Sequence, residues 1–167
     1  MQTLQPDLYV FLQIIVSMLL SGALGWERES SGKSAGLRTH ILVGVAATIF
    51  VIIGEEMAAD FRRFGDHVRF DAANLVGAIV TGISFLGAGM IFFKKESRDV
   101  SGLTTAAGIL TTAGIGMLVG VHRYSLAVGA TVIVFFVLRA LPYIESFRPK
   151  APDKPEKQED VRKDSDE

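Results

Sequence analysis

The sequence predicts an all-α membrane protein, built as a bundle of about five transmembrane helices. Five apolar stretches have lengths near the roughly 20 residues that a helix needs to cross a bilayer. Charged residues are concentrated between these stretches and after residue 148. The glycine-rich stretches 82–91 and 100–107 fit a packed helix pair, because small residues let backbones approach closely in lipid. A soluble bundle is the alternative, and the apolar character of the stretches on all faces disfavours it.

The five spans are expected at residues 8–26, about 37–54, 72–93, 102–121 and about 124–144. The first is expected to stay uncleaved, because residues 1–7 lack the basic residues of a secretory signal. The second is short: uncharged positions 41–54 cover about 21 Å of a hydrocarbon core of roughly 30 Å. This span must therefore take in residues 38–40. The third and fourth spans are expected to be joined by a short basic turn at 94–99.

Lysine and arginine are unevenly divided between the two predicted sides of the membrane, 13 against 4. Because cytoplasmic segments carry the excess positive charge, the N-terminus is expected outside and the C-terminus in the cytoplasm. The 13 residues are Arg28, Lys33, Arg38, Lys94, Lys95, Arg98, Arg139, Arg148, Lys150, Lys154, Lys157, Arg162 and Lys163. The four are Arg62, Arg63, Arg69 and Arg123.

The chain divides into two parts of different composition, an apolar body and a charged C-terminal segment. Residues 1–148 are expected to form one transmembrane domain. Residues 149–167 hold five basic residues, seven acidic residues and three prolines, with almost no apolar side chain. Such a segment cannot bury a core, so it is expected to be a disordered, charged cytoplasmic tail.

A polar cluster is predicted where the first span ends and the second begins. Glu27 and Glu29 end the first span, and Arg38, Thr39 and His40 begin the second. Two alternatives are open for Arg38: its side chain snorkels to the interface, or it faces the bundle and pairs with one of the two carboxylates. A charge inside a membrane bundle is costly unless paired and commonly marks function, which makes this cluster the first candidate site.

A second candidate site follows the small and hydroxyl-bearing residues of the third and fourth spans. Such residues pack helices together, and in transporters they also line paths near the bilayer midplane. The members are Asn74, Gly82, Gly87, Gly89, Gly102, Thr104 and Thr105. Both interpretations, helix packing and a solute path, are open from the sequence.

Motifs of catalysis and of resident metal ions are missing from the sequence. It contains no glycine loop ending in Lys-Ser/Thr, no His-Glu-x-x-His and no cysteine. The carboxylates of segment 55–71 lack the spacing of a calcium loop, and a solvated loop or short interfacial helix is expected there. We therefore expect no enzymatic activity, no cofactor and no metal site.

Four ordered motifs resemble the signature blocks of the MgtC/SapB family. They are GWERE at 25–29, AGLRTH at 35–40, FLGAGMI at 85–91 and VSGLTTAA at 100–107. Ser84 departs from the family pattern, which usually has glycine there, and many members carry a soluble C-terminal domain where this chain has a short tail. The resemblance implies a multi-pass bacterial inner-membrane protein. The family is associated with adaptation to low magnesium and, in pathogens, with survival inside host cells.

The residues and the resemblance together favour a non-enzymatic membrane protein that acts by binding. It would regulate magnesium-linked ion homeostasis or another membrane complex through its helix faces. The alternative is an ion or small-solute transporter whose midplane glycines line a path. The expected partners are the lipid bilayer, a membrane protein and a second copy of the chain, and no nucleic acid.

Overall fold

Five α-helices make up most of the structure, a computed structural model that describes residues 4–63, 71–94 and 99–145. They are α1 (Leu4–Ser30), α2 (Leu37–Arg63), α3 (Ala72–Gly89), α4 (Leu103–Gly120) and α5 (Tyr124–Glu145). Each contains a stretch long and apolar enough to cross a membrane. The predicted fold class and number of spans are therefore confirmed. The orientation of the bundle stays a prediction, and the predicted tail, residues 149–167, lies outside the described residues.

Helix α4 is the centre of the bundle. It packs against all four other helices, and half of its apolar span is buried inside the protein. One apolar core joins α4 to α2 and α3, through residues such as Val43, Ile79 and Ile109. A second joins α4 to α1 and α5, through residues such as Leu24 and Ile115. Helix α3 lies at the periphery, with only 11% of its span buried.

Helices α2 and α4 cross with their backbones in direct contact. A side chain at Gly116 of α4 would overlap the backbone carbonyl of Gly44 in α2. A side chain at Gly44 would in turn overlap Ser21 of α1. Glycine at these two positions therefore sets the distance between α1, α2 and α4, which is the close approach that small residues permit in membrane bundles.

Two connections differ from the sequence predictions. Helix α2 is not a short span, because it continues through the charged stretch 55–63, where a loop or separate interfacial helix is predicted. The third span ends at Gly89 rather than residue 93, and an antiparallel hairpin of β1 (Phe92–Lys94) and β2 (Asp99–Ser101) follows it. In this hairpin Phe92 lies opposite Ser101. Residues 95–98, which include most of the predicted basic turn, lie outside the described residues.

The outer surface of the bundle is apolar. Large side chains such as Leu19, Phe50, Phe85 and Phe136 are more than half exposed, at 62%, 51%, 80% and 64%. A water-soluble protein rarely leaves so much contiguous apolar surface uncovered. Lipid is the solvent that suits this surface, and the helices satisfy their own backbone hydrogen bonds as a bilayer requires.

Candidate functional site

A buried ion pair lies where α1 ends. Arg28 Nε donates to Glu27 Oε2 at 2.5 Å, and the two residues are only 3% and 2% exposed. The second carboxylate oxygen of Glu27 accepts a hydrogen bond of 2.9 Å from the hydroxyl of Ser31. Pairing and hydrogen bonding of both partners are what make a charge tolerable in such a place.

The same arginine joins the first helix to the last. Arg28 Nη2 donates to the carbonyl oxygen of Leu138 in α5 at 3.0 Å. In a regular helix this carbonyl would accept from the N–H of residue 142, but Pro142 has no N–H. The guanidinium therefore satisfies a carbonyl that proline leaves without its helical donor. A buried carbonyl without a partner would be costly, so the contact fixes α5 against α1.

The second predicted carboxylate has a different role. Glu29 Oε2 accepts a hydrogen bond of 2.8 Å from the backbone N–H of Leu37, the first residue of α2. A negative charge at a helix N-terminus satisfies a free N–H and interacts favourably with the helix dipole. A Cβ at Gly36 would come within 2.6 Å of this carboxylate oxygen, so glycine leaves room for the contact. Glu29 thus caps α2 from the end of α1.

A large cleft opens beside the ion pair, at the end of the bundle where α1 ends and α4 begins. Its volume is about 920 Å³. We call it the basic cleft, because its described lining includes the cationic side chains of Arg28, Lys33 and Arg139 and one carboxylate, that of Glu27. The remaining walls are residues 31–34, residues 100–105 and the end of α5.

The N-terminus of α4 forms one wall of this cleft. Gly102, the N-cap residue, has φ +92°, and a side chain there would overlap the carbonyl of Met90. It supplies no capping side chain. The first hydrogen bond of the helix comes from Ala106 N–H to Gly102 O, at 2.9 Å. The backbone N–H groups of residues 103–105 come before this bond, so they have no carbonyl oxygen within the helix to donate to.

A row of buried polar side chains runs through the interior between α1, α2 and α4. Gln13 Nε2 donates to the carbonyl oxygens of residues 119 and 120, at 3.2 and 3.1 Å. Thr48 Oγ1 lies 2.8 Å from both the Ser17 hydroxyl and the carbonyl oxygen of residue 116. His40 Nδ1 lies 2.8 Å from the hydroxyl of residue 112. In the described chain, Ser21 Oγ and His40 Nε2 are buried without a hydrogen-bond partner.

The structure assembles only part of the predicted polar cluster. Glu27 and His40 are buried, Thr39 is half-buried, and Glu29 caps α2. Arg38 is exposed and forms no ion pair among the described residues, so the alternative that pairs it with a carboxylate is wrong. The buried guanidinium belongs instead to Arg28. Two signals point to it: the polar positions 13, 17 and 21 share a helix face with residue 28, and Pro142 leaves one carbonyl of α5 without a donor.

The members of the second predicted site are dispersed. Asn74, Gly82 and Gly89 lie on the exposed surface of α3 rather than along an interior path. Gly87 is buried, and a Cβ there would lie 3.4 Å from Ala106 of α4, which makes it a packing position. The remaining three members, Gly102, Thr104 and Thr105, line the basic cleft.

The fold and the cleft define a multi-pass helical membrane protein with a buried ion pair and a basic cleft at one end. The sequence model of the MgtC family matches residues 14–147, and the chain belongs to this family. The predicted family and membrane location are thereby confirmed. No solved structure matches the chain.

Three relatives illustrate the similarity. YhiD of Escherichia coli K12, whose name describes it as a candidate magnesium transporter, is 39% identical over 127 residues. An uncharacterised protein of Haemophilus influenzae is 35% identical over 141 residues, and protein MgtC of Salmonella typhimurium is 36% identical over 123 residues. These alignments cover 76%, 84% and 74% of this chain, and 58%, 59% and 48% of the relatives. The chain thus matches about half of each relative's length.

Proposed function

We propose that the chain is a non-enzymatic membrane protein that acts by binding, and that it serves magnesium-linked ion homeostasis by regulating another membrane component. The observation that carries this proposal is the direct contact between the backbones of α2 and α4 inside the bundle. Gly44 and Gly116 bring two backbones into contact at its centre. The basic cleft, which is large enough for a ligand, lies at one end of the bundle.

The use of the interior polar groups also supports binding rather than passage. The side-chain amide of Gln13 donates hydrogen bonds to carbonyl oxygens at the C-terminal end of α4. The hydroxyl of Thr48 forms hydrogen bonds with groups of α1 and α4. Hydrogen bonds between helices are a known means of holding membrane bundles together. Polar side chains engaged in this way stabilise the bundle and do not coordinate a passing ion.

A transporter is the second candidate function, and the same row of polar residues favours it. From Gln13 to Arg28 along α1, the row extends about 22 Å, most of a hydrocarbon core of roughly 30 Å. Two of its atoms, Ser21 Oγ and His40 Nε2, have no hydrogen-bond partner in the described chain. Buried polar atoms without protein partners are places where water or a passing solute would find hydrogen bonds.

The two functions predict different results in two measurements, one with the purified protein and one in living cells. One measurement is magnesium entry into sealed liposomes that contain the protein and a magnesium-sensitive dye. The other is growth in limiting magnesium of a bacterium without MgtC-family genes of its own, after it receives this chain. Rescue of growth without magnesium entry above empty liposomes supports regulation by binding. Magnesium entry supports the transporter, and failure of both contradicts a magnesium-linked function.

A further inference from the structure

We infer that the basic cleft binds a phosphate group, carried either by an anionic lipid headgroup or by a soluble phosphate ester. The inference goes beyond the proposed function, because it assigns a ligand class to a site whether or not magnesium is involved. The evidence for it is the charge of the cleft, one hydroxyl in its wall that has no protein partner, and the position of the cleft in the bundle.

The charge of the cleft favours an anion. Glu27 is already engaged by Arg28 and by the Ser31 hydroxyl, so the pair contributes little net charge. Among the described residues, the lining therefore holds three cations, Arg28, Lys33 and Arg139, against one carboxylate, and its net charge is positive. Arginine and lysine beside hydroxyl groups are the residue types that bind phosphate oxygens in proteins.

One hydroxyl-bearing side chain in the wall makes no hydrogen bond within the described chain. Thr105 lines the cleft and is 5% exposed. Its hydroxyl makes no hydrogen bond within the described chain, whereas those of Thr111, Thr112 and Thr131 each bond to the carbonyl four residues earlier. Thr105 Oγ1 is not among the enclosed polar atoms of the protein, so it can exchange a hydrogen bond with a ligand oxygen in the cleft.

The helix end beside this hydroxyl supplies further donors. The first N–H groups of α4 precede its first intrahelical hydrogen bond, and Gly102 offers no capping side chain. Free N–H groups and the positive end of the helix dipole together favour a phosphate oxygen. In this cleft the N–H groups of α4 supplement the hydroxyl of Thr105, which has no protein partner, and the net positive charge of the lining.

The position of the cleft fits a phosphate carried by lipid or by a soluble ester. It lies at the end of the bundle, where α1 ends and α4 begins, and this is the level of lipid headgroups around a spanning helix. Its volume of about 920 Å³ exceeds what one inorganic phosphate needs. The rest of an esterified molecule would occupy the remaining space.

The test uses the full chain purified in a phosphate-free maltoside detergent. Thermal unfolding is followed while inorganic phosphate, glycerol 3-phosphate or phosphatidylglycerol is titrated, and native mass spectrometry counts retained lipid. We expect a saturable rise of the midpoint temperature. A rise with phosphatidylglycerol alone identifies lipid as the source, and a rise with glycerol 3-phosphate as well identifies the phosphate ester itself.

Two pairs of variants make the test specific. Thr105→Val removes the unpartnered hydroxyl and keeps the size of the side chain, and Thr111→Val is its control on the same helix. The double variant Lys33→Gln/Arg139→Gln removes the unbalanced charge, and Arg38→Gln is the control for an exposed arginine that does not line the cleft. We expect Thr105→Val to weaken binding about tenfold and the double variant more, with both controls unchanged.

Thr105→Val leaves Glu27 and Arg28 unchanged, and the midpoint temperature of each variant without ligand shows whether it is folded. The inference is overturned if none of the three probes raises the midpoint temperature. It is also overturned if the probes raise it equally in wild type, Thr105→Val and the double variant. The magnesium measurements above are independent of either result, so the two proposals can fail separately.

Discussion

Arg28 of α1 donates a hydrogen bond of 3.0 Å to the carbonyl oxygen of Leu138 in α5, 110 residues later in the chain. That carbonyl is the one that Pro142 leaves without a helical donor. The charge of the guanidinium is balanced by Glu27 at the same place. The Arg28 side chain thus neutralises a carboxylate, satisfies a backbone group and joins the first helix to the last. It lies beside the basic cleft.

The link between Arg28 and Pro142 predicts an energetic coupling. Arg28→Gln breaks a buried ion pair, and we expect it to lower the free energy of unfolding by about 3–5 kcal/mol. Pro142→Ala restores the N–H, so Arg28→Gln should cost about 1 kcal/mol less in that background. A double-mutant cycle of detergent unfolding measures the difference. Equal costs in both backgrounds would show that the proline does not create the need for the arginine.

The two arginines at this end of the bundle should behave differently. Arg38 is exposed and without an ion pair among the described residues, so Arg38→Gln should change the free energy of unfolding by no more than about 0.5 kcal/mol. The Arg38→Gln variant should still restore growth in limiting magnesium, whereas the Arg28→Gln variant should not. Extraction yield and gel-filtration profile report whether each variant inserts and folds. Loss of rescue in folded Arg38→Gln would return Arg38 to the candidate site.

The contact between α2 and α4 predicts opposite results for two glycines of α4. Gly116→Ala places a methyl group against the backbone of Gly44 and should destabilise the bundle by about 1–3 kcal/mol or more. Gly114→Ala meets no atom within 4 Å and should be neutral or stabilising by up to about 1 kcal/mol. Thermal unfolding of both variants checks the prediction. Similar destabilisation by both would mean that helix crowding is not specific to Gly116.

The cap that Glu29 provides predicts a local effect at the start of α2. Glu29→Ala should cost about 0.5–2 kcal/mol and should speed hydrogen exchange at the Leu37 amide, which loses its acceptor. Glu56→Ala removes an exposed carboxylate further along the same helix and serves as the control. Exchange followed by mass spectrometry resolves the two regions. Unchanged exchange at Leu37 in Glu29→Ala would show that the carboxylate does not cap the helix.

The spans could be predicted because their lengths and composition are local properties. The continuation of α2 through residues 55–63 could not be predicted from polarity, since a charged stretch suits an exposed helix end as well as a loop. The helix face shared by residues 13, 17, 21 and 28 is a local signal for the buried arginine, but the partner of Arg28 in α5 could not be predicted from a local pattern. That partner is a carbonyl of α5 that Pro142 deprives of its donor, far from residue 28 in the sequence. Thr105 was singled out for packing or a path, and only the fold brings it to the cleft.

The rate of magnesium entry into sealed liposomes, measured with the wild-type chain and with Ser21→Ala, tests most directly whether the protein acts by binding. The account predicts entry no faster than in empty liposomes for both proteins, while the wild-type chain still rescues growth in limiting magnesium. Entry that saturates with magnesium concentration and slows in Ser21→Ala would contradict it. That result would identify the interior row of polar residues, rather than the basic cleft, as the functional site.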